Sequence, residues 1–180
     1  HQTINSIREL HTSIPAERIA LLKEMAEWIN TKRSRDETAK LTFICTHNSR
    51  RSHLSQIWAH FLADLHNIEG VECYSGGTEA TAFNIRAVDC LRDQGFTISA
   101  YGSTSNPVCA VRYSNNRPAI VCFSKVYVHD ANPTEGFAAV MTCSDADEAC
   151  PFIPGAEKRF PLRYEDPKLF DDTPQEKEKY

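Results

Sequence analysis

Apolar residues recur at helical spacing in three stretches of this chain and at strand spacing between them. Ile19, Leu22, Met25, Ala26 and Ile29 share one face of a helical region predicted over residues 1 to about 35, where Pro15 suits a helix first turn. The charged stretch Lys32 to Lys40 reads as a linker into the run Leu41-Thr42-Phe43-Ile44, the first strand. Leu54, Ile57, Trp58, Phe61, Leu62 and Leu65 then form a second helical stripe. Val71 to Ser75 alternates as a strand and ends at Gly76-Gly77. Residues 84–94 return to the helical period through Ile85, Val88 and Leu91, with Gly95 as a stop. This strand–helix–strand–helix order predicts an α/β fold: a small parallel sheet flanked by helices on both faces.

Residues 99–136 break the pattern. Ser, Asn, Pro and Gly surround two strand-like runs, Val108 to Tyr113 and Ala119 to Val128, with Asn115-Asn116 between them, which predicts a β-hairpin insertion. Phe137 to Thr142 resumes as a buried strand. One domain is expected over 1–180: a helical extension (1–38), a core (40–98 and 137–168), the insertion (99–136) and a polar tail (171–180) expected to be mobile.

Composition narrows the function. The chain is 41% hydrophobic and 24% charged, and no apolar run is long enough to span a membrane. Its net charge of −4 supplies no basic field for nucleic acid. No signal peptide is visible, and a start at His1 without methionine is compatible with removal of a short leader. Seven cysteines, at 45, 73, 90, 109, 122, 143 and 150, make a poor disulfide framework and suit a reducing cytoplasm.

The candidate chemistry sits between the first strand and the second helical stripe, in Cys45-Thr46-His47-Asn48-Ser49-Arg50-Arg51-Ser52. A loop entering a helix start gathers backbone N–H groups around one point, and the helix dipole makes that point attractive to anions. A cysteine at its rim suits a thiolate nucleophile. Arg51 supplies forked donors for a tetrahedral oxyanion and its transition state, and Ser52 a hydrogen bond to the thiolate. The alternative for Cys45 is a buried, inert cysteine at a strand end.

With Tyr74-Ser75-Gly76-Gly77-Thr78-Glu79-Ala80, the stretch Asn84 to Gly95 and Asp166-Pro167, the loop resembles the low-molecular-weight phosphotyrosine phosphatase fold, which thioredoxin-coupled arsenate reductases share. The resemblance covers 41–98 and 137–167. It implies a phosphatase-like core and puts Asp166 in the general acid's place, where the leaving oxygen must be protonated. Asp171-Asp172 is a nearby rival.

Cys143-Ser144-Asp145-Ala146-Asp147-Glu148-Ala149-Cys150-Pro151 looks like the redox segment of the arsenate reductase branch. That resemblance implies attack of Cys45 on arsenate, a Cys45–Cys143 disulfide on release of arsenite, and its exchange for Cys143–Cys150, which thioredoxin reduces. A helix between these cysteines would span about 10.5 Å, and bridged Cα atoms lie within about 7 Å. The segment must therefore unwind, and Asp145, Asp147 and Glu148 suit an exposed, re-formable stretch. The alternatives are inert buried thiols or half of a metal site. Cys73, Cys90, Cys109 and Cys122 read as structural.

The chain departs from the family at several points. Arg50 replaces a common loop cysteine and adds charge favouring thiolate and anion. His47 stands where glycine is usual, so a positive φ is expected there, and its ring adds charge or faces solvent. Gln56 stands where some arsenate reductases carry a potassium-binding glutamate, which argues against a potassium site. No metal or other cofactor is expected. Lys168-Leu169 replace the aromatic residues that grip phosphotyrosine, although Tyr164 or the insertion can supply an aromatic wall. His53 and His60 are expected on a solvated helix face. The leading expectation is a cytoplasmic, thiol-dependent arsenate reductase acting on arsenate with thioredoxin. The alternatives are a phosphatase acting on a phosphotyrosine protein or small phosphate ester, and a non-catalytic oxyanion-binding or redox-sensing protein.

Overall fold

A computed structural model describes residues 14–102 and 104–180. The part of the predicted N-terminal helix before residue 14 lies outside the described residues. Helix α1 (Ala16–Arg33) begins at Pro15, whose extended backbone precedes the first turn. Its inner face is Leu21, Leu22, Met25, Trp28 and Ile29, whereas Ala26 is exposed. Lys32, expected in a linker, is instead a buried helical residue paired with Glu37 (2.7 Å) and Glu157 (2.8 Å).

Strands β1 (Ala39–Cys45) and β2 (Val71–Gly77), with helices α2 (Arg51–Leu65) and α3 (Ile85–Asp93), follow the predicted order. β1 lies between β2 and β6 (Phe137–Met141), parallel to both, and β7 (Ala156–Phe160) closes the edge in the order β2-β1-β6-β7. β7 was not anticipated. Its centre, Glu157-Lys158-Arg159, is polar because an edge strand buries little, so it carries no apolar run. β6 is buried at every position, as a central parallel strand requires. One sheet face packs Leu41, Phe43, Ala138, Val140 and Phe160 under α1 and Ala59 of α2. The other packs Ile44, Ala139 and Met141 against Tyr127, Ile153 and Ala146 of the short helix α4 (Ser144–Ala149).

The insertion holds the predicted hairpin, and Thr97–Tyr101 adds a third strand ahead of it. The result is a three-stranded antiparallel meander, β3 (Thr97–Tyr101), β4 (Val108–Arg112) and β5 (Ile120–Cys122). The second predicted run narrows to three strand residues because the chain after Cys122 turns back to the main sheet, where Val126 bridges Gly77. Its apolar face forms a second core with Ile57 of α2 and Ala87, Val88 and Leu91 of α3, edged by ring contacts among Trp58, Phe61, Phe96 and Tyr113.

The tail is docked rather than loose. After the 3₁₀ turn Pro167–Phe170, Asp172 and Glu176 of helix α5 (Glu176–Lys179) bind Arg86 at 2.5 and 3.1 Å. Among the described residues no helix is long and apolar enough to cross a membrane.

Candidate active site

Parallel strands point their carboxyl ends one way, so the loops after β1, β2 and β6 converge where β1 meets neighbours on both sides. Cys45 pairs with Gly77 in register, and Ile44 with Met141. Gly77 is required: a Cβ there would lie 2.6 Å from the Thr46 carbonyl oxygen and 2.7 Å from the Asn48 amide.

The loop turns its carbonyls outward. Cys45 O accepts from the Thr78 amide (3.1 Å), Thr46 O from the Glu79 amide (2.8 Å), His47 O from Ser124 Oγ (2.9 Å) and Ser49 O from the Asn84 amide (2.9 Å). Among the described residues, no backbone N–H from Thr46 to Ser52 has a protein acceptor. Arg50, at the α2 N-cap, gives no side-chain cap either. Uncommitted amides at the start of a 15-residue helix form an anion cradle. The positive φ that such a turn needs falls on Asn48 (44°) rather than on His47, and asparagine tolerates it.

Cys45 is buried at the cradle's edge, with Sγ 3.1 Å from Ser52 Oγ. Asn48 Nδ2 donates to that hydroxyl (2.8 Å), which leaves the Ser52 proton free to serve the sulfur. Asn48 Oδ1 in turn accepts from the Lys125 amide (3.0 Å). The side chain of Ser49 donates to Ala82 O (2.7 Å), so this residue and Asn48 offer the cradle only their amides. The His47 ring is exposed, 3.7 Å from Glu79.

Arg51 donates to Asp166 Oδ2 (2.7 Å) and to the Tyr164 carbonyl (3.1 Å), which brings two candidate residues into direct contact. Asp166 also caps the 3₁₀ turn by accepting from the Lys168 amide (3.1 Å). Arg50 points elsewhere. It binds Asp171 (2.8 Å) and the Tyr180 hydroxyl, so its charge is committed to the tail and not to the anion. Burial and the Asp171 carboxylate push the Tyr180 phenol up to about 12. Asp171 and Asp172 are thereby engaged by Arg50 and Arg86.

Cys143 follows β6 and is fully buried, 3.6 Å from Thr46 Oγ1 and in one apolar cluster with Cys45. It caps α4, accepting from the Ala146 amide (3.4 Å), and half-buried Cys150 ends that helix. Asp145 and Glu148 are exposed, but Asp147 is buried against Arg159 and Arg163, contrary to the expectation of a wholly exposed segment. Burial pushes the thiols of Cys73 and Cys122 up to about 12 and raises those of Cys90 and Cys109, leaving four poor nucleophiles.

Two histidines differ from expectation. His53 is fully buried, stacks on Phe83 at 4.2 Å, and is driven down to about 3 by burial and by Lys125. Its position four residues before Ile57 was the available signal, because both lie on the face that meets the second core. His60 is half-buried, which lowers its pKa. Gln56 is buried and donates to Cys73 O (3.2 Å), stitching α2 to β2. Among the described residues no group of three or more His, Cys, Asp or Glu is placed to hold a metal. Ser124 and Lys125, which brace the cradle from the insertion, carried no local motif.

No protein-family model matches the chain. Arsenate reductase 2 of Staphylococcus epidermidis is 30% identical over 125 residues, covering 69% of this chain and 76% of that protein. The arsenate reductase of Staphylococcus aureus is 30% identical over 126 residues with the same coverage, and arsenate reductase 2 of Staphylococcus haemolyticus is 32% identical over 126, also at 69% and 76%. A low-molecular-weight phosphotyrosine phosphatase from Vibrio cholerae superposes with a TM-score of 0.45 at 17% identity, over 66% of this chain and 65% of that one.

Proposed function

Because this chain belongs to the arsenate reductase family, we propose that it reduces arsenate at Cys45 and passes the oxidation to Cys143 and then Cys150. The Cys45 thiolate attacks arsenic(V), and Asp166 protonates the departing oxygen, which leaves as water. The cradle amides and Arg51, once it turns from Asp166 to the anion, carry the charge of the adduct. The Cys143 thiolate then attacks Cys45 Sγ. The sulfur–arsenic bond breaks with its electron pair remaining on arsenic, which departs as arsenite and leaves a Cys45–Cys143 disulfide. Cys150 attacks Cys143, frees Cys45, and forms the Cys143–Cys150 disulfide for reduction by a dithiol protein of the thioredoxin type. All seven cysteines are unpaired, which supports a reducing, cytoplasmic setting.

The observation that carries this reading is a second thiol at the cradle's rim: Cys143 touches Thr46 and shares a cluster with Cys45. A phosphoryl-transfer enzyme has no need of it. One observation favours a second reading, hydrolysis of an aromatic phosphate ester through a Cys45 phosphoenzyme: Arg51 borders an open groove walled by Leu54, Trp58, Tyr164, Pro167 and Tyr180. One experiment separates the two. With thioredoxin, thioredoxin reductase and NADPH, arsenate-dependent NADPH oxidation is expected in the wild type and is lost in Cys143→Ser. Hydrolysis of a phenyl phosphate ester indifferent to Cys143→Ser, without arsenate turnover, favours the second reading and overturns the first.

A further inference from the structure

A cavity of about 310 Å³ opens between the edge strand β2 of the parallel sheet and the edge strand β5 of the meander. Gln56, Cys73, Tyr74, Val121, Phe123 and Lys125 are among its walls, and Cys45, Arg51 and Asp166 are not. It thus excludes the reactive side chains of the anion cradle, to which Lys125 connects through its backbone amide.

Lys125 is its unusual component. The residue is 4% exposed, and among the described residues its ammonium makes no hydrogen bond and no ion pair. Its Nζ lies over the face of the Phe123 ring, 4.7 Å from the centroid. A ring face offsets part of the cost of burying a cation, but a buried ammonium is ordinarily matched by an anion. Glu72, the carboxylate at the same cavity, is engaged by the Tyr74 hydroxyl at 2.6 Å and forms no ion pair with Lys125. The remaining walls are mainly hydrocarbon, from Val71, Ile120, Val121 and Phe123. A polar group set in an apolar pocket fixes a ligand's orientation, and this volume lies at the small end of the range for such sites.

We infer that this cavity is a second ligand site, for a small carboxylate with an apolar body: the carboxylate pairs with Lys125 and the body covers Phe123 and Val121. Its occupant is chemically distinct from the tetrahedral oxyanion expected at Cys45, so the inference does not depend on which reaction Cys45 performs.

The test is a calorimetric titration of the full chain with phenylacetate, in sulfate sufficient to fill the cradle. Saturable binding is expected, weaker by about tenfold or more for the neutral phenylacetamide and for Lys125→Met. Val121→Trp, at a half-exposed wall, narrows the cavity without touching Lys125 and should weaken phenylacetate comparably even if Lys125→Met does not fold. Sulfate protection of Cys45 from alkylation should survive in Val121→Trp, which shows that the fold is intact. No saturable binding, binding displaced by sulfate, equal affinity for phenylacetamide, or affinity unchanged in Val121→Trp would each overturn the assignment.

Discussion

Arg50 gives its guanidinium to Asp171, 2.8 Å away, and so ties the C-terminal segment to the loop that begins at Cys45. Both side chains are largely shielded, and Tyr180 completes the contact by donating to Asp171 at 2.7 Å. Arg50 is therefore expected to hold the tail rather than bind the anion. Arg50→Ala should leave the KM for arsenate within about twofold, while Asp171→Asn lowers stability by about 1–3 kcal/mol, since it strands a partly buried cation. Steady-state kinetics and denaturant titration measure the two effects. A tenfold rise in KM for Arg50→Ala, about 1.4 kcal/mol, would return Arg50 to the cradle.

This contact marks the boundary of what was legible in the sequence. The Leu54–Leu65 stripe, the buried strand at Phe137 and the loop beginning at Cys45 are all written in neighbouring residues, and periodicity and turn chemistry read them directly. Arg50–Asp171 joins residues 121 apart, and the bracing of Asn48 by Lys125 joins residues 77 apart, so neither leaves a local trace. β7 was missed because a polar edge strand has no apolar run to detect. His53 was legible in principle: helical geometry puts it with Ile57, whereas its polarity alone points to solvent.

Arg51 and Asp166 form a 2.7 Å pair, which in the proposed mechanism parts so that the arginine meets the oxyanion and the acid meets the leaving oxygen. Their roles predict different losses. Asp166→Asn should lower kcat by about 10²–10⁴-fold with little change in KM, the usual weight of a general acid. Arg51→Lys keeps the charge but loses the fork, and should cost about 10²–10³-fold in kcat/KM. Single-turnover kinetics of adduct formation read both. An Asp166→Asn enzyme with wild-type kcat would remove Asp166 from the mechanism.

His53 makes stability depend on pH. Burial, with the nearby Lys125 ammonium, takes it from the ordinary 6.5 to about 3, so the folded state holds it neutral where the unfolded chain binds a proton. The contribution is complete above pH 6.5 and is lost as pH falls from there towards 3, at a limiting slope of about 1.4 kcal/mol per pH unit for this one group. His53→Phe, which retains a ring against Phe83, should flatten that part of the profile. Urea unfolding of both proteins at pH 7 and pH 5 provides the comparison. Equal losses in the two would mean that His53 is not the group responsible.

Asp147 anchors α4, the helix that the proposed Cys143–Cys150 disulfide would pull apart. Its buried carboxylate is held by Arg163, with Nε 2.7 Å from Oδ2, and by Arg159 from the edge strand. Cys143 and Cys150 stand at the two ends of α4, and seven helical steps separate them by about 10.5 Å, beyond the roughly 7 Å that a disulfide spans. Closing the disulfide therefore requires unwinding against the Asp147 clamp. Asp147→Asn should lower global stability by about 1–3 kcal/mol, less than for a fully buried pair because both arginines reach solvent. It should also speed formation of the Cys143–Cys150 disulfide under a mild thiol oxidant, followed by mass spectrometry in a Cys45→Ser background. Slower closure would show that the clamp aids the reactive conformation, and an unchanged rate would show that α4 opens without breaking it.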